Sequence, residues 1–419
     1  MSLISAENEP ATSEKAAISS RSDLLTLISE ACELEHGLAC TYLYTAFTLK
    51  REIKEGGVTW RQQQLIRKWA AQIYFVASQE MLHLAQLWNL LAAIGGTPYY
   101  YRPNFPQSSK YYSFDLPLTL QPFGRAALQR FRYYERPLEI SPTRKLFSEL
   151  GISTAEAASP EYRTVGELYS FILGGIEAIP EEQLFIGNKD SQVGPDLVDF
   201  PDIVKVIDKS SAKEAIRRIT HQGEGTAQDR IDCHFGIFSN VLTEFAEEEN
   251  ASGGRFQPAR DTIENPITKY RGHYEAQNGN IIVDEYTRRV SDLFDNIYVL
   301  MLRLLAYVFS NSTGDAVILK KFSAISIALM PTVVLPLGEA LTLLPAGKCA
   351  YGDKTAGPTF GLSRHVTLHS NPRAAYTVVQ ERLGEIITVT GELASWEQAP
   401  TQLVNCLRNL KALEAVIIA

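Results

Sequence analysis

Apolar residues recur at intervals of three and four along most of the chain, and this spacing predicts an all-α protein. The two longest runs cover residues 21–53 and 60–94, and a glycine pair follows each of them. Shorter runs cover residues 161–178, 211–226, 229–250, 283–310, 316–344, 372–392 and 400–415. No segment shows a convincing strand alternation. Because only residues 54–59 separate the two leading runs, we expect them to form an antiparallel helix pair.

The breaks between these runs divide the chain into three parts. Residues 1–20 are predicted to be a disordered leader, without the features of a signal peptide. Residues 21–250 are predicted to form one helical bundle with long loop insertions, the largest at 97–160. Residues 251–419 are predicted to be a helical C-terminal region that packs on this bundle.

Composition narrows the classes of function. The net charge of −8 is spread along the chain, which argues against binding to nucleic acid. Five cysteines without a CxxC pair suggest neither a disulfide framework nor a thiolate zinc site, and they fit a reducing cytoplasm. The apolar stretches 297–309 and 322–344 are short or broken by prolines, so we expect buried core segments and no membrane span.

Acidic and imidazole side chains lie on the apolar faces of the first two predicted helices. Glu35 falls in the stripe of Ile28, Ala31 and Leu38, where a carboxylate is costly unless it is paired or binds a metal. Glu80 and His83 form a Glu-x-x-His pair on the apolar face of the second helix. Facing Glu and Glu-x-x-His groups are the components of dinuclear iron and manganese sites in helical bundles.

Three later residues are weaker candidates on periodicity alone. Glu167 could equally be an exposed glutamate, because Leu168 and Ile172 could define the buried face. Glu224 and His234 are ten residues apart, about 15 Å along a continuous helix. They can share a metal centre only if the helix breaks between them, and Gly223 and Gly225 make a break feasible.

Several segments resemble a known family. They are LEHGLACTYLYTAFTLK, ASQEMLHLAQLWNLLAAIGGTP, TVGELY, QGEGT with CHF, and LMPTVVLPLGEALTLLPAG followed by TAGPTFGL. Together they resemble the ferritin-like domain of the iminophenylpyruvate-dimer-synthase type, over roughly residues 20–385. That domain occurs in violacein and indolocarbazole pathway enzymes that couple two tryptophan-derived imines, and this chain is much shorter than those enzymes.

The resemblance implies a ferritin-like four-helix bundle with additional C-terminal helices, iron binding and oxidative biosynthesis. By matching motifs, it places the metal ligands on six residues: Glu35, Glu80, His83, Glu167, Glu224 and His234. Four carboxylates and two imidazoles suit two divalent ions, iron or manganese.

We therefore expect a cytoplasmic di-iron oxidoreductase that activates O2 and oxidises a small, aromatic or amino-acid-derived substrate. Two alternatives stay open, an imine-coupling enzyme and a non-catalytic ferritin-like metal-binding protein. The sequence also leaves open whether an external electron donor or a second copy of the chain takes part.

Overall fold

The computed structural model describes residues 18, 20–108, 112, 116–139, 162–223, 231–270 and 273–418. The longer helices are α1 (Arg21–Thr48), α2 (Trp60–Ala93), α3 (Arg125–Tyr134), α4 (Val165–Ala178), α5 (Lys209–Gly223), α6 (His234–Ala251), α7 (Glu285–Ser310), α8 (Ala316–Leu329), α9 (Leu335–Leu341), α10 (Pro372–Ala394) and α11 (Thr401–Ile418). One-turn α-helices cover Glu181–Leu184, His273–Asn278 and Lys348–Tyr351, and 3₁₀ turns cover Ile53–Glu55 and Lys189–Ser191.

Helices α1 and α2 form the predicted antiparallel pair. The side chain of Gln63, at the start of α2, donates to the carbonyl of Lys50, just beyond the end of α1. Near the other end of the pair, Gly96 lies against Leu25. A capping box at Thr59 and Gln62 starts α2, because each side chain bonds to the backbone of the other. Helix α1 ends at Thr48, five residues earlier than the prediction.

The α1–α2 pair lies between two groups of helices. On one side α4 packs on α1, α5 and α6 pack on α2, and α3 packs on α6. Helices α7 and α9 pack on the pair from the C-terminal region, and α8, α10 and α11 surround them. One continuous hydrophobic core joins both groups of helices.

A π-helix, Met330–Val334, connects α8 to α9 without a break in the helical path. It contains Pro331, one of the two prolines in this apolar stretch. Proline removes a backbone hydrogen bond from a helix, and the wider π turn accommodates that loss.

Two helical segments, Glu285–Ser310 and Ala316–Leu341, are long and apolar enough to cross a membrane by length and composition. In the most apolar 18 residues of the first and second segments, 78% and 50% of the residues, respectively, are buried within the fold. Packing in the core explains why the first segment is long and apolar, so its length and composition are weak support for a membrane span.

The loops contain little regular structure. Pro266–Ile267 and Asn280–Ile281 pair as two short parallel strands, although the sequence showed no strand pattern there. The predicted loop 97–160 contains α3, whose ten residues follow Gly124.

Candidate metal centre

Two helices bring Glu35, Glu80 and His83 together in the core. Glu35 projects from the middle of α1, and Glu80 and His83 project from the facing side of α2. His83 Nδ1 lies 3.2 Å from Glu35 Oε2 and 3.1 Å from Glu80 Oε2. All three side chains are buried, so water does not solvate their charges.

A second group of three consists of Glu80, Glu135 and His234. Glu135 directly follows the last residue of α3, and His234 is the first residue of α6. His234 Nδ1 lies 2.9 Å from Glu80 Oε1 and 3.5 Å from Glu135 Oε2. The packing of α3 on α6 brings the two helix ends together beside α2.

Glu80 belongs to both groups, and its two oxygens point to different histidines. Oε2 faces His83 and Oε1 faces His234. In each group, one ligand atom from every residue lies within 4.8 Å of the others. The two imidazole rings stack with their centroids 5.5 Å apart. A carboxylate between two sets of ligands is the arrangement that bridges a pair of metal ions.

Each histidine is oriented by a glutamine on the far side of its ring. His83 Nε2 lies 2.9 Å from the side-chain oxygen of Gln222, and His234 Nε2 lies 2.9 Å from that of Gln79. Both rings therefore direct Nδ1 into the carboxylates and donate a hydrogen bond from Nε2. Histidines that bind metals are usually held this way, by a carbonyl or carboxylate at the other nitrogen.

We call Glu35 and Glu135 the outer carboxylates, because each belongs to one group, whereas Glu80 belongs to both. A tyrosine hydroxyl donates a hydrogen bond to each outer carboxylate. Tyr169 of α4 bonds to Glu35 Oε1, and Tyr42 of α1 bonds to Glu135 Oε1. Burial and the negative carboxylates raise the pKa of both phenols well above the usual value, so both remain protonated donors.

The electrostatics show how strongly these groups affect one another. Burial and the nearby charge of Glu80 raise the pKa of Glu35 to about 7. Burial opposes charge on His234, but the Glu80 and Glu135 carboxylates outweigh it and raise the pKa of His234 to about 9. Burial likewise opposes ionisation of Glu80, but His234 is the main group that holds its pKa below the usual value. A divalent cation would replace these shared protons.

The buried atoms at the centre fit a metal ion. Glu80 Oε1 and His234 Nδ1 lie close together without hydrogen-bond geometry, and neither has another hydrogen-bond partner among the described residues. Unsatisfied buried polar atoms are rare, and an absent ion is one of their ordinary causes. Carboxylate and imidazole donors suit iron, manganese or zinc.

The structure brings together four of the six residues predicted from the sequence: Glu35, Glu80, His83 and His234. Glu224 lies outside the described residues, so its predicted role stays a prediction. Helix α5 ends at Gly223 and α6 begins at His234, so the two helices are separate around the predicted break.

Glu167 belongs to neither group of three. It lies in the first turn of α4, where its backbone N–H donates to the hydroxyl of Thr164. Its carboxylate accepts hydrogen bonds from the backbone N–H of Arg163 at 2.6 Å and from the Arg163 guanidinium. The sequence Thr-x-x-Glu is typical of a helix N-terminus, and this explains the position of Glu167.

Glu135 is the residue that the sequence analysis missed. Leu128, Phe131 and Glu135 are spaced three and four residues apart, and all three are buried. This spacing places Glu135 on the apolar face of α3, the same signal that identified Glu35. We missed it because the ten-residue α3 lies within a long segment that reads as loop.

Glu80 also separates two cavities of different character. The smaller cavity lies against the two ligand groups, and we call it the metal-side cavity. It has a volume of about 20 Å³, which is room for about one water molecule. Its lining includes Glu35, His83 and Glu135. The other cavity has a volume of about 320 Å³ and lies between the α1–α2 pair, α7, the π-helix and the segment around Phe200.

Among the described residues, the lining of this second cavity comes from helices and from the segment around Phe200, and none of it comes from the loops 97–160 and 251–282. Tyr100 and Arg102, from the first of those loops, are completely buried in the core. Burial and the Arg102 charge lower the pKa of His36, on the cavity wall, well below the usual value. The two ring nitrogens of His36 form hydrogen bonds with the hydroxyl of Tyr298 and the carbonyl of Tyr100.

The comparisons with known proteins agree with this architecture. The model of the family described as ferritin-like matches residues 28–243, just over half of the chain. The chain belongs to the ferritin-like family. The matched residues include most of α1, all of α2 and the N-terminal half of α6, from which Glu35, Glu80, His83 and His234 project.

Two curated relatives of this ferritin-like chain are biosynthetic enzymes. Dichlorochromopyrrolate synthase from Lentzea aerocolonigenes is 27% identical over 384 residues, 82% of this chain and 36% of the relative. 2-Imino-3-(indol-3-yl)propanoate dimerase from Chromobacterium violaceum is 25% identical over 368 residues, 83% of this chain and 35% of the relative. The chain thus spans about a third of the length of these two relatives.

The chain also matches the solved structure of a ferritin-like protein from Caulobacter vibrioides. It is 18% identical, with a TM-score of 0.43, and the alignment covers 70% of this chain and 88% of that one.

Proposed function

We propose that this ferritin-like chain is a non-haem di-iron oxidoreductase that uses O2 to oxidise a small organic substrate in specialised metabolism. The observation that carries the proposal is the pair of buried ligand groups that share Glu80. Glu35 and His83 would hold one ion, Glu135 and His234 the other, and Glu80 would contact both. The same donors would also accept manganese.

Bound iron would supply the electrons that O2 needs to react. The residues of the chain control the surroundings of that reaction. Tyr42 and Tyr169 keep the outer carboxylates in place through hydrogen bonds. Gln79 and Gln222 fix the direction of the histidine nitrogens. The metal-side cavity has room for about one molecule the size of water or O2.

An organic substrate needs more room than the metal side provides. The apolar cavity of about 320 Å³ begins at Glu80, and its volume falls within the usual range for ligand pockets. A substrate in this cavity would lie next to the Glu80 carboxylate that the two ligand groups share. Electrons beyond those of the substrate would come from an external donor.

Imine coupling is the second candidate, and the two curated relatives favour it. The name of the second relative describes the dimerisation of 2-imino-3-(indol-3-yl)propanoate. This chain corresponds to about a third of that protein, so the coupling activity is tested by incubating the iron-loaded chain with this imine in air-saturated buffer, where O2 accepts the two electrons that oxidative coupling releases. Consumption of the imine with formation of a dimer would support this candidate.

Oxygen uptake tests the proposed function directly. Metal-free protein is loaded with Fe(II) under anaerobic conditions, and O2 consumption is measured after mixing with oxygenated buffer. We expect O2 uptake by the wild-type chain with both ions bound, and loss of uptake in Glu135→Gln, because that variant would keep only the ion held by Glu35, Glu80 and His83. Glu182→Gln is the matched control, because Glu182 is exposed and outside both ligand groups. Iron-loaded wild-type protein that consumes no oxygen would contradict the proposal.

A further inference from the structure

The larger cavity beside Glu80 has a strongly apolar wall. Among its described lining residues, none is lysine or arginine, and Glu80 is the sole acidic one. Most of the remaining wall comes from aliphatic, methionine and aromatic side chains, including Trp88, Phe200 and Phe309. A negatively charged ligand would lose its hydration there without gaining a cationic partner.

The polar groups on this wall already have partners. His36 bonds to Tyr298 at 2.5 Å and to the carbonyl of Tyr100 at 2.7 Å. The hydroxyl of Tyr74 donates to Glu339 and accepts from Arg51, so that guanidinium is also engaged. These bonds leave hydrogen-bonding capacity for one or two neutral groups, rather than a site for a carboxylate.

The cavity also has a route to the surface. Pro331 of the π-helix lines it and is exposed, and Met330 and Leu335 beside it are half-buried. At the opposite end, Glu80 and Trp88 are buried. The cavity therefore extends from the protein surface beside the π-helix to Glu80, and we expect a ligand to enter at the π-helix. π-Helical turns occur frequently at functional sites.

We propose that this cavity binds an uncharged aromatic molecule, and that such a molecule, rather than an α-imino acid with a free carboxylate, is the substrate class. Calling this molecule a substrate rests on the proposed function, whereas its binding to the cavity requires no metal. The aromatic side chains of the wall suit a planar ring system through offset and edge-to-face contacts. The absence of lysine and arginine from the described lining excludes the charge pair that a carboxylate would need.

A matched pair of probes tests the charge preference. 3-Methylindole and indole-3-acetate share one ring system and differ by a carboxylate. Binding of each to the metal-free 419-residue chain is measured by isothermal titration calorimetry. We expect 3-methylindole to bind, and indole-3-acetate to bind at least about tenfold more weakly. Equal or tighter binding of indole-3-acetate, or no binding of either probe, would overturn the proposal.

Substitutions then locate the bound probe. Ala85→Phe on α2 and Ala39→Leu on α1 fill the cavity from two walls, so the proposal stays testable if one variant fails to fold. Ala71→Phe is the control, because Ala71 is on the exposed face of α2 and outside the cavity lining. We expect at least about tenfold weaker binding of 3-methylindole in each folded filling variant and no change in the control. Unchanged binding in both filling variants would place the probe elsewhere and overturn the proposal.

Iron uptake by the same proteins separates this inference from the proposed function. We expect Ala85→Phe to bind as much Fe(II) as the wild-type chain, because Ala85 belongs to neither ligand group. Wild-type protein that binds 3-methylindole but takes up no iron would support the cavity and reject the metalloenzyme. Wild-type protein that takes up iron but does not bind 3-methylindole would leave the metal centre intact and reject the inference about the cavity.

Discussion

The two halves of the candidate metal centre use the same kinds of side chain but are supported differently. One half takes Glu35 and His83 from the middle of the long helices α1 and α2. The other half takes Glu135 from the end of α3 and His234 from the start of α6. In both halves a glutamine orients the histidine and a tyrosine bonds to the outer carboxylate.

This difference shows that one ligand geometry can be built on two kinds of support. Mid-helix ligands are positioned by hydrogen-bonded backbone on both sides. Ligands at helix ends depend on the tertiary packing that fixes those ends, here the contact between α3 and α6. Glu80 joins the halves, because its two oxygens face one histidine each. We therefore expect the halves to be separable by mutation, but only when Glu80 is retained.

Replacement of the shared carboxylate should have the largest effect. Glu80→Gln preserves the shape of the side chain but removes the charge that both ions would share. We expect the affinity for both ions to fall by more than about 100-fold. Metal content is measured by mass spectrometry after Fe(II) loading and desalting, and we expect both ions to be lost. Circular dichroism and thermal unfolding provide the check on folding. A variant that retains one tightly bound ion would show that Glu80 belongs to one half only.

The outer carboxylates should each control one ion. Glu35→Gln and Glu135→Gln remove one carboxylate from one half and leave Glu80 in place. We expect each variant to retain about one iron per chain with affinity close to that of the wild type. The measurement is an anaerobic Fe(II) titration of each variant. If either substitution eliminates both ions, the halves are a single cooperative unit rather than two separable sites.

The tyrosines should have a smaller effect than the ligands they support. Tyr169→Phe and Tyr42→Phe each remove one hydrogen bond to an outer carboxylate. We expect about tenfold weaker binding of one ion in each variant, measured by competition with a chelator of known affinity. Tyr286→Phe is the control, because the hydroxyl of Tyr286 donates to the Leu393 carbonyl between α7 and α10. Equal weakening in the control would mean that the effect is not local to the centre.

The smallest effect is expected at Glu167. Its side chain bonds to Arg163 at the start of α4 and belongs to neither ligand group. We expect Glu167→Gln to bind iron as the wild type does and to lose about 1 kcal/mol of stability or less, because it weakens interactions at a helix terminus. Metal content and thermal unfolding measure the two quantities. Loss of an ion in this variant would restore Glu167 to the ligand set that the family resemblance implied.

The half built on long helices was predictable because many turns define an apolar face. Glu35 and the Glu80–His83 pair fall on such faces, and α1 and α2 were predicted from the same periodicity. The short connection between α1 and α2 predicted an antiparallel pair, and in such a pair Glu35 can face Glu80 and His83.

The half built on helix ends was harder to predict because the direction of a terminal side chain depends on the neighbouring loop. Glu135 follows a helix of ten residues inside a long insertion, so few turns define its apolar face. His234 was identified by the motif around it, and its approach to Glu80 requires the separation of α5 from α6. The cavity beside Glu80 was not predictable, since it is formed by helices more than 200 residues apart in the sequence.

The most direct test of the shared centre is the number of ferrous ions that the wild-type chain binds. Metal-free protein is titrated with Fe(II) under anaerobic conditions, and the bound iron is counted after rapid desalting. The geometry predicts about two ions per chain, one for each group around Glu80. One ion per chain, or none in a folded protein, would contradict the dinuclear centre.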